Sequence, residues 1–337
     1  MGLSAEDTSA LRDSVRATIV QTGDADRVAS QVGAVDLLVD ARSALAVFFE
    51  EFGRAALANN LIDVLIGEAL GLGCSGGTHF VFPVPRRGAA TAAAATERGD
   101  QLDVDGLLQV GVGGYSGDVV VVTAGGSAIT VPVAELTVAT VSGFDPAGDW
   151  RSIRCTVAAG HVTVTHSPKA LQAIALARLA AGSELLGLAM RITAIAIEHV
   201  SSRHQFGKAL GSFQTVRHRL AEAHVANQAA QTVLNLGWAQ AEGAADDFDF
   251  ETYAIAAKAL AGKAFEAASL HANQVCGGMG LTWEHPLPAL VRRGSALNVV
   301  LGGPVDLAAE LGRSMAAGVA LPVPDPLVSD GVLEMAP

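Results

Sequence analysis

Aromatic residues make up only 5% of this 337-residue chain and charged residues 17%, and Lys and Arg number 22 against 34 Asp and Glu. The formal charge of −12, with no dense basic cluster to neutralise phosphates, argues against a nucleic-acid partner. Cysteine is scarce as well. Cys74, Cys155 and Cys276 are far apart, odd in number and outside any CxxC or Cys/His spacing, so no disulfide framework or zinc signature is present. Among the nine histidines, pairs such as His199/His204 and His218/His224 lie close in sequence but none forms HExxH, and no metal site is expected. Residues Met1 to Ser14 are polar and acidic where a secretion signal is basic and then apolar. The longest uncharged apolar-leaning run, Val119 to Ala134, is only 16 residues and contains Gly, Ser, Thr and Pro, short of a spanning helix. These absences predict a soluble cytoplasmic protein without a membrane partner. What is abundant is apolar material: half of the residues are hydrophobic, ample for a large core.

The hydrophobic pattern changes period twice. Residues 4 to about 70 lack proline, and Leu11, Val15, Ile19, Leu37, Leu45, Phe48 and Phe49 recur near helical spacing. After the glycine-rich Gly71 to Gly77, segments such as HFVFPV, DVVVVTAGG and AITVPVAELTVATV are short, rich in Val and Thr and divided by Gly and Asp, which predicts strands of a small barrel or sandwich. From Pro168 the helical period returns. Leu171 to Val200 is free of proline and carries charge only at Arg178, Glu184, Arg191 and Glu198, spaced 6, 7 and 7 apart, a narrow polar stripe on a helix otherwise packed in apolar surroundings. Two further long helices are expected at 212–242 and 249–275. The order predicts a segregated α+β fold: a helical region 1–77, a β region 78–166, a helical bundle 167–320 and an extended tail 321–337.

Two motif matches fail on context. Gly71-Leu-Gly73-Cys-Ser-Gly76 fits G-x-G-x-x-G and Gly73-Cys-Ser75-Gly-Gly77 fits G-x-S-x-G. Both motifs require a strand before and a helix after, and here the order is reversed, so neither a dinucleotide fold nor a serine nucleophile is expected.

Two other stretches are specific. The first runs Arg203-His-Gln-Phe206-Gly207 to Phe213-Gln214; the second runs Gln274-Val-Cys-Gly277-Gly278-Met-Gly280 to Thr282-Trp-Glu284. Together they resemble signatures of the acyl-CoA dehydrogenase family, whose order of helical, β and helical regions also matches this chain. The resemblance implies an FAD whose adenine half crosses a subunit interface, contacted by Arg203, Phe206, Gln214, Gln274, Gly277 and Gly278. A fixed guanidinium fork suits a diphosphate, and glycines let backbone amides approach it.

The same resemblance exposes what is missing. The family's glutamate base precedes a Gly-Thr pair downstream of a Tyr/Leu-Arg-Asp segment; laying Val291-Arg292-Arg293-Gly294 on that segment puts Leu301 at the base, followed by Gly302-Gly303. The position used by a subset of the family, counted back from Arg203, is Ala177. Glu184, two turns further along the same helix face, is the nearest substitute, with Asp306 and Glu310 beyond Leu301. The family's flavin-ring contacts in the β region also have no counterpart in Pro85-Arg-Arg-Gly or Asp105-Gly-Leu-Leu-Gln-Val, and the N-terminal helical region is short. Kept adenine contacts with a lost base resemble the small non-catalytic subunit of actinobacterial α2β2 acyl-CoA dehydrogenases acting on steroid-CoA intermediates. The resemblance thus implies a full-length catalytic partner and an acyl-CoA substrate. A flavin-free homo-oligomeric scaffold and an active homotetramer with a displaced base remain alternatives.

Overall fold

The computed structural model describes residues 3–72, 78–84, 93–109, 117–123, 126–143, 145, 148–158, 160, 162–165, 169–243 and 247–318. Five helices come first: α1 (Ala5–Thr22), α2 (Ala25–Val32), α3 (Ala34–Asp40), α4 (Leu45–Ala55) and α5 (Leu61–Ala69). Local chemistry sets their ends. Ser4 accepts the Asp7 amide at the start of α1, Gly23 in the left-handed region closes it, and Asp24 accepts the amides of Asp26 and Arg27 to begin α2. Helix α4 buries Phe48, Phe49 and Phe52 together with two acids, Glu50 and Glu51. Those acids are met from α1: Arg12 lies 2.8 Å from Glu50 and 2.6 Å from Glu51, and Arg16 lies 2.7 Å from Glu51.

The β region is one curled eight-stranded sheet. Its strands are β1 (Thr78–Pro83), β2 (Ala95–Arg98), β3 (Gln101–Gln109), β4 (Asp118–Val122), β5 (Ala128–Pro132), β6 (Val138–Thr140), β7 (Trp150–Ala158) and β8 (Thr163–Thr165). The order is β6-β7-β3-β1-β4-β5-β8, with β2 on β3; β1 and β4 pair in parallel and the other strand pairs are antiparallel. The strand period of two splits the residues between two cores. Val81, Val119 and Val121 join Leu102, Val104, Ile153 and Val157 within the sheet's own core, whereas Phe80, Phe82, Val120 and Val122 face the helices. With both faces of β4 buried, DVVVV shows no polar alternation. Asp63 fastens α5 to β1, pairing with His79 Nδ1 at 3.0 Å and accepting the Phe80 amide at 3.0 Å. That hydrogen bond raises the His79 pKa above its ordinary value.

The C-terminal helices are α6 (Lys169–Ser202), α7 (Gln214–Gly243), α8 (Asp247–Cys276), α9 (Leu287–Val299) and α10 (Pro304–Ala316), with a small hairpin of β9 (His204–Gln205) and β10 (Lys208–Ala209) between α6 and α7. The fold is therefore segregated α+β. Helix α6 is long and apolar enough to span a membrane, but 94% of that stretch is buried inside the protein, so it serves as the core helix. Its charged stripe divides: Arg178 and Glu184 are buried, Arg191 and Glu198 exposed. The expected tail 321–337 lies outside the described residues.

Helices α4 and α6 meet backbone to backbone. A Cβ on Gly53 would lie 2.0 Å from the Glu184 carbonyl oxygen, and one on Gly187 would lie 2.0 Å from that of Glu50. Gly53→Ala should therefore destabilise the protein by about 3 kcal/mol, since neither backbone can yield cheaply. Gly312→Ala, in α10 with open space around it, should be neutral or stabilising by up to about 1 kcal/mol. Urea unfolding midpoints of the two variants test the contrast.

Candidate functional site

The two sequence motifs meet at one corner of the bundle. His199 in the last turn of α6, Cys276 at the end of α8 and His285 before α9 have side-chain donor atoms within 4.8 Å of one another. Arg203 follows His199 by one turn, its amide bonded to the His199 carbonyl at 2.9 Å, and Gly277 follows Cys276 directly. The hairpin that carries Phe206 turns on two residues, Phe206 (φ +54) and Gly207 (φ +79), both in the left-handed region as a two-residue type I′ turn demands. Glycine adopts this freely, whereas the phenylalanine is strained. Phe206 is 87% exposed and meets Phe213 edge-on at 6.2 Å; Lys208 lies over the Phe213 ring at 4.3 Å.

All six residues expected to contact the cofactor are exposed here. The Arg203 guanidinium has no hydrogen-bond or ion-pair partner among the described residues, so helix capping does not occupy it. Gly277 is left-handed (φ +59), and a Cβ on either Gly277 or Gly278 would meet nothing within 4 Å. Met279, Leu281 and Trp283 add exposed apolar surface, with Arg292 stacked 4.7 Å from the Trp283 ring centre. A free cation, two open glycines and an exposed aromatic ring suit the adenosine and diphosphate half of a dinucleotide approaching from outside the chain.

The interior junction is different in kind. Leu301 and Ala177, which the resemblance sets at the base positions, are both fully buried and lie near each other, since Arg178, which follows Ala177, donates to the Leu301 carbonyl at 3.3 Å. Leu301 is itself left-handed (φ +58). Glu184, the nearest alternative base, is 1% exposed, and both of its carboxylate oxygens are engaged. Arg293 donates to Oε1 from Nε at 3.0 Å and from Nη2 at 2.8 Å, and Asn59 donates to Oε2 at 3.1 Å. The third Arg293 nitrogen donates to Asp145 at 3.0 Å, which also accepts the Trp150 indole N–H at 3.1 Å. Burial raises the Glu184 pKa while Arg293 opposes that rise. Burial alone lowers the Arg293 pKa, but Glu184 and Asp145 hold it above its ordinary value. Glu310 is paired with Arg178 at 3.2 Å, and Asp306 sits in the first turn of α10.

Beneath the loop joining α9 and α10, Lys258 is fully buried and donates to the carbonyls of Asn298 and Gly302, each at 3.3 Å. Burial, with the charge of Arg178 adding to it, pushes its pKa down to about 7. Sequence spacing did not single out Lys258, Asp145 or Asn59. The two isolated charges in α6 were the available signal, because a charge in an apolar helix needs a partner. Ser75 and Pro85–Gly88 lie outside the described residues, whereas Asp105–Gln109 falls in the paired interior of β3.

Residues 168–310 match the family described as acyl-CoA dehydrogenase, C-terminal domain. The match spans under half of the chain and makes this segment similar to that domain. Among similar proteins, the acyl-CoA dehydrogenase FadE34 of Mycobacterium tuberculosis is 32% identical over 232 residues, 63% of this chain and 32% of FadE34. The chain thus matches only about a third of that relative's length. Likeness over nearly the whole chain comes from solved structures. A chain of the Tcur3481–Tcur3483 steroid ACAD, in a variant form, superposes with a TM-score of 0.76 at 20% identity, covering 93% of this chain and 98% of that one. A chain of the ChsE4–ChsE5 complex from Mycobacterium tuberculosis gives 0.75 at 17% identity with the same coverage. At such identities the structural likeness establishes the acyl-CoA dehydrogenase fold.

Two stability outcomes follow. Arg293→Ala leaves Glu184 and Asp145 buried without their cation and should cost about 3–5 kcal/mol. The Lys258 pKa falls from 10.5 to about 7 on folding, so between those pH values the unfolded chain binds the extra proton and stability rises with pH. Lys258→Met should remove that component of the rise. Urea midpoints measured from pH 7 to pH 10 check both variants; an unchanged pH slope in Lys258→Met contradicts a buried lysine of lowered pKa.

Proposed function

We propose that this chain is the non-catalytic subunit of an FAD-dependent acyl-CoA dehydrogenase of α2β2 composition, located in the cytoplasm. In this reading a full-length catalytic partner supplies the carboxylate base and the pocket for the flavin ring. This chain supplies Arg203, Phe206, Gln214, Gln274, Gly277 and Gly278 to the adenine half of the partner's FAD. Bound FAD supplies the hydride acceptor for α,β-dehydrogenation of an acyl-CoA thioester. One structural neighbour is named a steroid ACAD, which supports a steroid-derived acyl-CoA as the substrate class, and the other is named a complex of two components, which supports a heteromeric partner.

One contrast carries the proposal: the residues of the adenine motifs are exposed, with the Arg203 guanidinium unpartnered among the described residues, while the base positions of the same chain are sealed apolar or ion-paired interior. Arg203 offers a permanently charged fork to a diphosphate. Gly277 and Gly278 admit phosphate oxygens to backbone amides without a side chain intervening. Phe206 offers its ring face, and Gln214 and Gln274 offer amides that both donate and accept. An active homotetramer needs a free carboxylate near the reacting carbon, and Glu184 is committed on both oxygens. A homo-oligomeric scaffold leaves the free Arg203 and the open glycines without a role.

The test is flavin occupancy of the complex formed with a catalytic partner. Arg203→Ala should lower it. Gly278→Ala should leave the stability of this chain within about 0.5 kcal/mol, because its Cβ meets nothing, yet should also lower the FAD content of the complex. Full occupancy in both variants overturns the assignment.

A further inference from the structure

The flavin reading makes no use of His199, Cys276 and His285. From their convergence we propose that these three side chains form a binding site for a divalent transition metal, zinc by preference, with two imidazoles and one thiolate as ligands. His199 lies 77 residues before Cys276, and Cys276 and His285 are nine apart, outside the usual ligand spacings, so no ligand motif appears in the chain. They are brought together by the ends of two packed helices and one loop.

The geometry is close to what the metal requires. Zn–N distances of about 2.0–2.1 Å and a Zn–S distance of about 2.3 Å in tetrahedral coordination place ligand atoms roughly 3.3–3.7 Å apart. The donors already lie within 4.8 Å of one another, so side-chain rotations of about an ångström bring them onto one ion. The rings of His199 and His285 stand edge to face, with centroids 6.4 Å apart. Burial lowers the His199 pKa, with the charges of His285 and Arg203 adding to the effect. Cys276 is buried at the end of α8, and as a ligand it would bind as the thiolate, releasing its proton. The ligand that must adjust most is His285, whose Nδ1 accepts the Leu287 amide at 3.2 Å. Coordination through either ring nitrogen gives up that bond. The freed amide belongs to the first turn of α9, where helical amides lack intrahelical partners in any case.

Imidazole with thiolate selects zinc, or copper and nickel, over magnesium and calcium. Three protein ligands leave a fourth position for water or an anionic group. A metal here clamps the ends of α6 and α8 that carry Arg203 and Gly277, and its net positive charge sits beside Arg203.

The experiment uses the reduced, chelator-stripped chain, titrated with zinc chloride by calorimetry and with cobalt(II) by absorbance; flavin takes no part in either readout. The expected result is one metal per chain and a thiolate-to-cobalt charge-transfer band. His199→Ala and His285→Ala should each weaken zinc by more than about tenfold, and Cys276→Ser should abolish the band. His204→Ala, outside the cluster, should change nothing. Because His285 lies in a loop, its variant keeps the test valid if Cys276→Ser misfolds. Absence of saturable uptake, or uptake unchanged in both histidine variants, overturns the site.

Discussion

The guanidinium of Arg293 is the charge on which the three regions of this protein converge. From α9 it holds Glu184 of the core helix and Asp145 of the β region, and through Glu184 it reaches Asn59 beyond α4. Gln109 of β3 closes the circuit by donating to the Asn59 carbonyl at 3.1 Å. A buried ion pair adds little stability over an apolar replacement, but losing one member is expensive because the other charges cannot be resolvated. The network therefore acts chiefly as a constraint: the N-terminal helices, the sheet and the bundle dock in the one arrangement that satisfies all of its donors. The glycine contact of α4 on α6 lies beside it and depends on the same register, since the backbone oxygen that Gly53 approaches belongs to Glu184.

That constraint also bears on function. A space filled by an arginine, two carboxylates and an asparagine leaves Glu184 no freedom to accept a substrate proton, and the neighbouring base positions are hydrocarbon. At the opposite extreme, the corner built by the end of α6, the Phe206 turn and Gly277 is open, cationic and partly strained. Strain is kept where surrounding structure holds it in place and a site has use for it. The loop bearing Leu301 keeps its own left-handed backbone, supported from below by Lys258 on the carbonyls of Asn298 and Gly302. The loop thus combines a left-handed backbone at Leu301 with no carboxylate side chain.

Much of the fold was legible because its signals are local. The proline-free apolar run predicted α6 to within two residues at each end, and the Val- and Thr-rich segments predicted strands. Arg203, Phe206 and Gly277 were legible because each motif is contiguous, so its pattern survives without a structure. What stayed hidden depends on contacts between residues distant in sequence. Arg178 and Glu184, six residues apart, read only as part of a narrow polar stripe, yet their partners Glu310 and Arg293 sit more than a hundred residues away. Lys258 gave no sign at all, since a single lysine in an alanine-rich helix is ordinarily solvated. The convergence of His199 on Cys276 and His285 was invisible for the same reason, since 77 residues separate His199 from Cys276.

The central claim is that this chain completes another subunit's flavin site and holds none of its own. Native mass and flavin-to-protein ratio test it most directly, measured for the chain alone and after co-expression with a catalytic dehydrogenase. The expected result is a colourless chain alone and a yellow complex of two chains of each kind with half as many FADs as chains. A chain that binds one FAD by itself and oxidises acyl-CoA thioesters without a partner would contradict it.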